Sequence, residues 1–217
     1  MRVELTGVSK RFNYDWIYRG IDQVFESGQI WAVTGANGSG KSTFLRMVAG
    51  MLTPSEGSIR YRLDGHAIDR EKIFSHVAVT APYIDLPEEF TLEENIRMQG
   101  KLKPYRGGLD TDAVAEATGL SAHRKKELRF FSSGMKQRLR NTLAILSDAS
   151  LLIMDEPTSH LDLEGVEWYQ QLLLSHASGR LILIGSNMER ETTMAGHRLQ
   201  MSEYKQVVRP GIVPRSS

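Results

Sequence analysis

The 217-residue chain contains no cysteine. That excludes a disulfide framework, a thiolate metal site and a cysteine nucleophile. Aromatic residues are sparse at 8%, and neither sign of charge dominates: 27 Lys and Arg stand against 26 Asp and Glu, a formal net charge of +1. Such a balance gives no footing for binding nucleic acid or an anionic membrane by charge alone. No apolar run approaches the roughly 18 residues of a spanning helix. The opening MRVELTGVSKRF lacks the apolar core of a secretory leader, so the chain is not expected to enter a membrane by itself. Six histidines (His66, His76, His123, His160, His176 and His197) are scattered without zinc-ligand spacing. The basic run His123–Arg129 reads as a solvated helix face, because acidic segments offset it. With 41% hydrophobic and 24% charged residues, the chain fits one soluble domain, or one carrying a subdomain.

Hydrophobic periodicity supplies the organisation. Val3, Leu5 and Val8 alternate with polar residues and suggest an edge strand. DQVFESGQIWAVTG reads as a strand, a turn at Ser27-Gly28 and a buried strand Ile30–Thr34. Phe44, Leu45, Val48 and Met51 then recur at helical spacing, closed off by Pro54 and Gly57. Asp64-Gly65 marks a hairpin turn, and HVAVTAP a short strand. From about 86 to 140 the chain is charged and helically spaced, and it reads as a helical subdomain inserted in an α/β core. LLIMDEP resumes the core as an almost wholly apolar strand, typical of a parallel sheet covered on both faces. Helix Gly165–Ala177 and strand Leu181–Ile184 are expected next, and 211–217 as a frayed tail.

Between strand and helix lies GANGSGKST: Gly35, Ala36, Asn37, Gly38, Ser39, Gly40, Lys41, Ser42 and Thr43. It matches G-x-x-x-x-G-K-[ST], and the strand–helix context is what that motif needs. Glycines let successive backbone N–H groups converge on a phosphate, and the helix adds its positive end. Lys41 is expected at the β- and γ-phosphates, Ser42 on Mg²⁺ and Thr43 close by. Downstream, Asp155 and Glu156 end the apolar strand, at the edge of an open sheet where ligands bind. Adjacent strand residues point to opposite sides, so the two carboxylates take different roles. Asp155 is assigned to Mg²⁺ and Glu156 to the attacking water.

These residues resemble the ATP-binding-cassette (ABC) ATPases. GANGSGKST is similar to the Walker A loop, and LLIMDEPTSHLD to Walker B running into the D-loop of Ser159, His160, Leu161 and Asp162. FSSGMKQR resembles the signature LSGGQ-x-Q-R, which singles out Ser132 and Gly134. KRF puts Phe12 where the family stacks adenine; Trp16 and Tyr18 beside it are further candidates. The resemblance runs from about Val3 to Met201. It implies a single domain over 1–217 with a P-loop NTPase fold: a RecA-like core, an antiparallel β subdomain and the helical insert. It also implies ATP and Mg²⁺ as cofactors and a second ATPase subunit, a homodimer sandwiching two ATP molecules. A separate polytopic permease is implied, with this chain on the cytoplasmic face of the membrane. PYIDLPEEFTLEENIRM lies where such a partner docks, with Tyr83, Ile84, Leu86 and Phe90 suited to the groove. Small exporter subunits fit the length best, including the haem-exporter type of cytochrome c maturation. The alternatives are a soluble, non-transport ABC ATPase and a degenerate ATP-gated module with weak hydrolysis.

Three departures stand out. Where the family has a Gln after the strand leading into the insert, this chain has Ala81 or Pro82, which offer no side-chain ligand. Asn187 replaces the usual His at the γ-phosphate; it can donate a hydrogen bond but cannot become cationic. Ser133 and Met135 replace a Gly and the Gln of the signature, and Ser133 must avoid positive φ or carry strain.

Overall fold

The computed structural model describes residues 1–205, so the expected tail at 211–217 lies outside them. In chain order come β1 (Arg2–Phe12), β2 (Asp15–Glu26), β3 (Ile30–Thr34) and α1 (Lys41–Val48). A hairpin of β4 (Glu56–Leu63) and β5 (His66–Ile68) precedes the short β6 (Val77–Thr80). Helices α2 (Leu92–Leu102), α3 (Thr111–Ala117) and α4 (Ser133–Leu146) then interrupt the strands. The core resumes with β7 (Leu151–Asp155), α5 (Leu163–Ser175), β8 (Leu181–Gly185), α6 (Glu189–Thr192) and β9 (His197–Gln200).

The strands form two sheets: an antiparallel one of order β2-β1-β4-β5 and a parallel one of order β6-β7-β8-β3-β9. Every residue of β7 and β8 is buried, and the alternation of their side chains explains why the apolar run is unbroken. Leu151, Ile153, Leu181 and Leu183 pack on one face with Phe44, Val48 and the antiparallel sheet. Leu152, Met154, Ile182 and Ile184 face the other way, against Leu139, Leu143, Tyr169 and the rest of the helical layer. Both faces are dry, so neither row can be polar.

Two boundaries differ from expectation. Strand β1 lies between β2 and β4 rather than at an edge. Alternation reports that one face is buried; it carries no information on whether the backbone's two edges are paired. Helix α1 stops at Val48, short of Met51, which is exposed. Gly50 stops it, not Pro54 or Gly57. With φ 80 it turns the chain left-handed, and the Met51 amide reaches back to the Arg46 carbonyl. The last insert helix, α4, runs past Arg140 to Leu146 and packs against β6 and β7.

Gly57 has a different task. It enters β4 with φ 80, and a Cβ there would sit 2.4 Å from the carbonyl oxygens of Thr6 and Gly7. Gly57→Ala is expected to destabilise the protein by about 1–3 kcal/mol, the scale of a forced left-handed residue plus a backbone clash. A urea denaturation midpoint equal to that of the parent would contradict this.

Candidate nucleotide site

The turn Gly35–Gly40 carries β3 into α1. Gly40 sits at the helix start with φ 97, and a Cβ there would come within 2.5 Å of Ile17 Cγ2. The first turn of α1 carries no acidic residue, so its positive end is unneutralised. Lys41 is only 6% exposed. A buried ammonium needs hydrogen bonds; Lys41 Nζ donates to the carbonyls of Gly35 (2.7 Å) and Ala36 (3.4 Å) at the mouth of the turn. Lys41, Ser42, Thr43, Gly38 and Glu156 line one cleft of about 360 Å³, and Ile17 forms its wall. Phe12 stands apart, 46% exposed, with Lys10 Nζ 5.0 Å from its ring centroid. Tyr18 is wholly buried, donates to Met47 Sδ and packs edge-on to Phe44, so it cannot stack on a base. Trp16 is half-buried, with the Arg19 and Arg11 guanidinium groups 4.3 and 5.4 Å from its ring centroid.

Asp155 is 1% exposed, and its Oδ1 has no hydrogen-bond partner. Burial pushes its carboxyl above the usual carboxylate range; the Ser42 hydroxyl and the Lys41 ammonium oppose, while the charges of Glu156 and Glu191 push further up. Gly185 of the neighbouring strand leaves room for it: a Cβ there would lie 2.9 Å from Asp155 Oδ1. A buried carboxylate oxygen without a donor is costly unless a cation takes it. With the Ser42 hydroxyl beside it, this donor set fits a hard divalent ion such as Mg²⁺. The described residues contain no group of three His, Cys, Asp or Glu that could hold a metal unaided. Nucleotide phosphate oxygens would complete the shell.

Glu156 follows at φ 48, with its amide donating to the Gly185 carbonyl at 2.9 Å. Asn187 reaches the same loop: its Oδ1 accepts from the Gly35 amide (3.1 Å) and its Nδ2 donates to Asn37 Oδ1 (3.3 Å). Ser132 and Gly134 lie elsewhere. Ser132 caps α4, its hydroxyl accepting from the Met135 amide at 3.2 Å. Ser133 begins the helix without a positive φ, so the side chain adds no backbone strain. These residues line a second cleft of about 560 Å³ with His123, Arg138 and His160. The His160 carbonyl would be 2.9 Å from a Cβ at Gly134, which is why glycine is needed there.

Several residues went unmarked in the sequence. Gln137 Nε2 and Asn141 Nδ2 both donate to the Pro157 carbonyl, at 3.1 and 2.8 Å, and Thr80 donates to Asn141 at 3.2 Å. Glu191, buried, accepts from the Thr158 amide at 2.9 Å and from its hydroxyl. Amides at i and i+4 on a helix otherwise apolar on that face were a legible sign of a buried polar contact; nothing marked Glu191 or Gly185.

Residues 18–159 match the family described as ABC transporter. The chain belongs to the ABC transporter family. It is 30% identical over 185 residues to the cytochrome c biogenesis ATP-binding export protein CcmA of Nitrosococcus oceani, covering 84% of each chain. Among solved structures, a putative ABC transporter ATP-binding protein from Pyrococcus furiosus superposes with a TM-score of 0.80 at 20% identity, covering 95% of this chain and 100% of that one. A bacterial ABC transporter cassette solved as a dimer gives 0.78 at 20% identity, covering 94% and 97%. The fold is therefore that of the ABC ATPase cassettes, and this chain is an ATP-binding component of an ABC transporter.

Asp155→Asn removes a buried charge while keeping the shape. The nucleotide-free protein is expected to gain about 1 kcal/mol, a Tm rise of about 2–4 °C, and to lose the Mg²⁺ dependence of ATP binding. A lower Tm would show that the carboxylate is satisfied without a cation.

Proposed function

We propose that the chain hydrolyses ATP in a head-to-tail pair of copies and thereby drives a separate membrane permease, as a peripheral protein on the cytoplasmic face. What carries this reading is the separation of two half-sites on one chain. Lys41, Ser42 and Glu156 line one cleft, with Asp155 buried against Ser42, while Ser132 and Gly134, at the positive end of α4, line another. Neither half encloses a triphosphate alone. A second copy would bring its Ser132 and Gly134 against the nucleotide held by Lys41, adding a hydroxyl, backbone N–H groups and a helix terminus to the γ-phosphate. The dimeric cassette among the structural relatives supports the arrangement.

In this reading Gly35 to Thr43 wrap the phosphates and Lys41 leaves its carbonyls for the γ-phosphate. Ser42 and Asp155 hold Mg²⁺, which when bound would neutralise charge developing on the phosphate oxygens. Glu156 accepts a proton from, or orients, the attacking water. Asn187 keeps a neutral hydrogen bond towards the γ-phosphate. Phe12 stacks on adenine, a contact permissive toward bases. The permease is proposed to dock where Ile84 and Leu86 line a groove with Thr80, Gln99 and Arg140; Tyr83 and Phe90 do not line it and are 44% and 39% exposed. The export role carried in the name of the CcmA relative favours outward transport.

Purified protein with MgATP is expected to release phosphate. Glu156→Gln should bind ATP without turnover and elute as a dimer by size-exclusion chromatography; a monomer at micromolar concentration with saturating ATP would remove the sandwich. Asn187→Ala should lower the rate about tenfold or more, the scale of one phosphate-directed donor; an unchanged rate would end that assignment. Co-purification with a polytopic protein from solubilised membranes tests the transport role against a soluble ATPase.

A further inference from the structure

The cleft that holds Ser132 and Gly134 is also lined by His123, Arg138, His160 and Asp162, so three basic side chains stand against one acid there. Most of these groups are already engaged. Asp162 caps α5, its Oδ1 accepting from the Gly165 amide at 2.8 Å. The Arg138 guanidinium lies 3.7 Å from the Glu164 carboxylate and 5.1 Å from the centroid of the Trp168 ring. The His123 ring stands edge-on to Phe131, with 6.2 Å between centroids. Glu156, four residues before His160 on the same turn, lines the other cleft. His160 is set apart from its neighbours. It is exposed, and φ 66 holds its backbone in the left-handed region that non-glycines use sparingly. Its carbonyl packs against Gly134, so the imidazole and the start of α4 present themselves as one unit. The first cleft is built differently. Lys41 is the one cation that lines it, and Asn187 meets its phosphate turn with a neutral amide.

We propose that in the ATP-bound pair the His160 imidazole of one copy bonds the terminal phosphate held by Lys41 of the other, so that its protonation sets how tightly the pair holds. The proposal rests on the head-to-tail ATPase reading above. Whatever brings the Gly134 amide to a phosphate brings His160 with it, because the two are packed together. Asn187 offers that phosphate an uncharged donor; His160 adds, from the opposite copy, a charge that comes and goes near neutral pH. A cationic imidazole is attracted to the phosphate and a neutral one is not, so pairing strengthens as the pH falls and weakens as it rises. His160 meets the nucleotide only across the interface. The affinity of an unpaired chain for ATP therefore does not depend on it.

His160→Asn tolerates the left-handed backbone and keeps a hydrogen-bond donor, but it cannot become cationic. Sedimentation of the Glu156→Gln protein with MgATP at about pH 6 and about pH 8, the range over which imidazole changes charge, gives the dissociation constant of the pair. With His160 in place, that constant is expected to be about tenfold or more smaller at the lower pH, the scale of one charge-assisted hydrogen bond at each of the two sites. Adding His160→Asn is expected to bring the two constants together. Binding of a fluorescent ATP analogue by unpaired chains, at protein concentrations below pairing, is expected to be the same with His160 and with Asn. A pH effect that survives in His160→Asn, none with His160 in place, or weaker binding by unpaired His160→Asn chains overturns the proposal. Protein that stays monomeric with MgATP at both pH values would instead bring down the head-to-tail reading, and this proposal with it.

Discussion

The Pro157 carbonyl is the point through which the halves of this structure communicate. It follows Glu156 by one residue and accepts from Gln137 Nε2 and Asn141 Nδ2, both on α4. Asn141 also accepts from Thr80 at the end of β6. One buried acceptor thus ties α4, the carboxylate turn and the end of β6. Such a network is satisfied only as a whole, because a single missing donor leaves a buried polar atom exposed to a low dielectric. The helical layer is therefore held against the sheet by directional bonds as well as by apolar packing.

That coupling gives sense to the distribution of charge. The phosphate cleft has one buried cation, Lys41, and one buried anion with an orphaned oxygen, Asp155. Beside them Asn187 meets the phosphate turn with a neutral amide, bonded to Gly35 and Asn37. Binding then leans on the helix dipole and backbone N–H groups, which neither titrate nor need desolvation of a side-chain charge. The second cleft presents Ser132 and the α4 terminus beside Arg138.

Much of this was legible in the sequence. The apolar runs at Ile30–Thr34 and Leu151–Asp155 announced strands dry on both faces, and the glycine-rich turn between strand and helix announced an anion cradle. Strand order was not legible, because pairing of backbone edges leaves no side-chain signature; hence the misplacement of β1. Tyr18 looked like a candidate for base stacking because aromatic identity is visible and burial is not. The helix stop at Gly50 was masked by a continuing apolar period to Met51. Gly185 and Glu191 act by proximity across the fold: one leaves room for Asp155, the other bonds Thr158 from α6, and no local pattern encodes either.

The turn after β7 shows how the site is paid for in backbone conformation. Glu156 at φ 48 and His160 at φ 66 are both left-handed non-glycines, each costing about 1–3 kcal/mol. Against them stand the bonds to Pro157 from Gln137 and Asn141, those from Thr158 to Glu191, and the Gly185 carbonyl accepting from Glu156. Each contributes about 0.5–1.5 kcal/mol net. The two sums are comparable, so no one bond fixes the turn. It holds its strained shape only while α4, α6 and β8 are all seated around it. The position of Glu156 is thus a property of the assembled layers, and an element that pulls α4 away would relax the turn first.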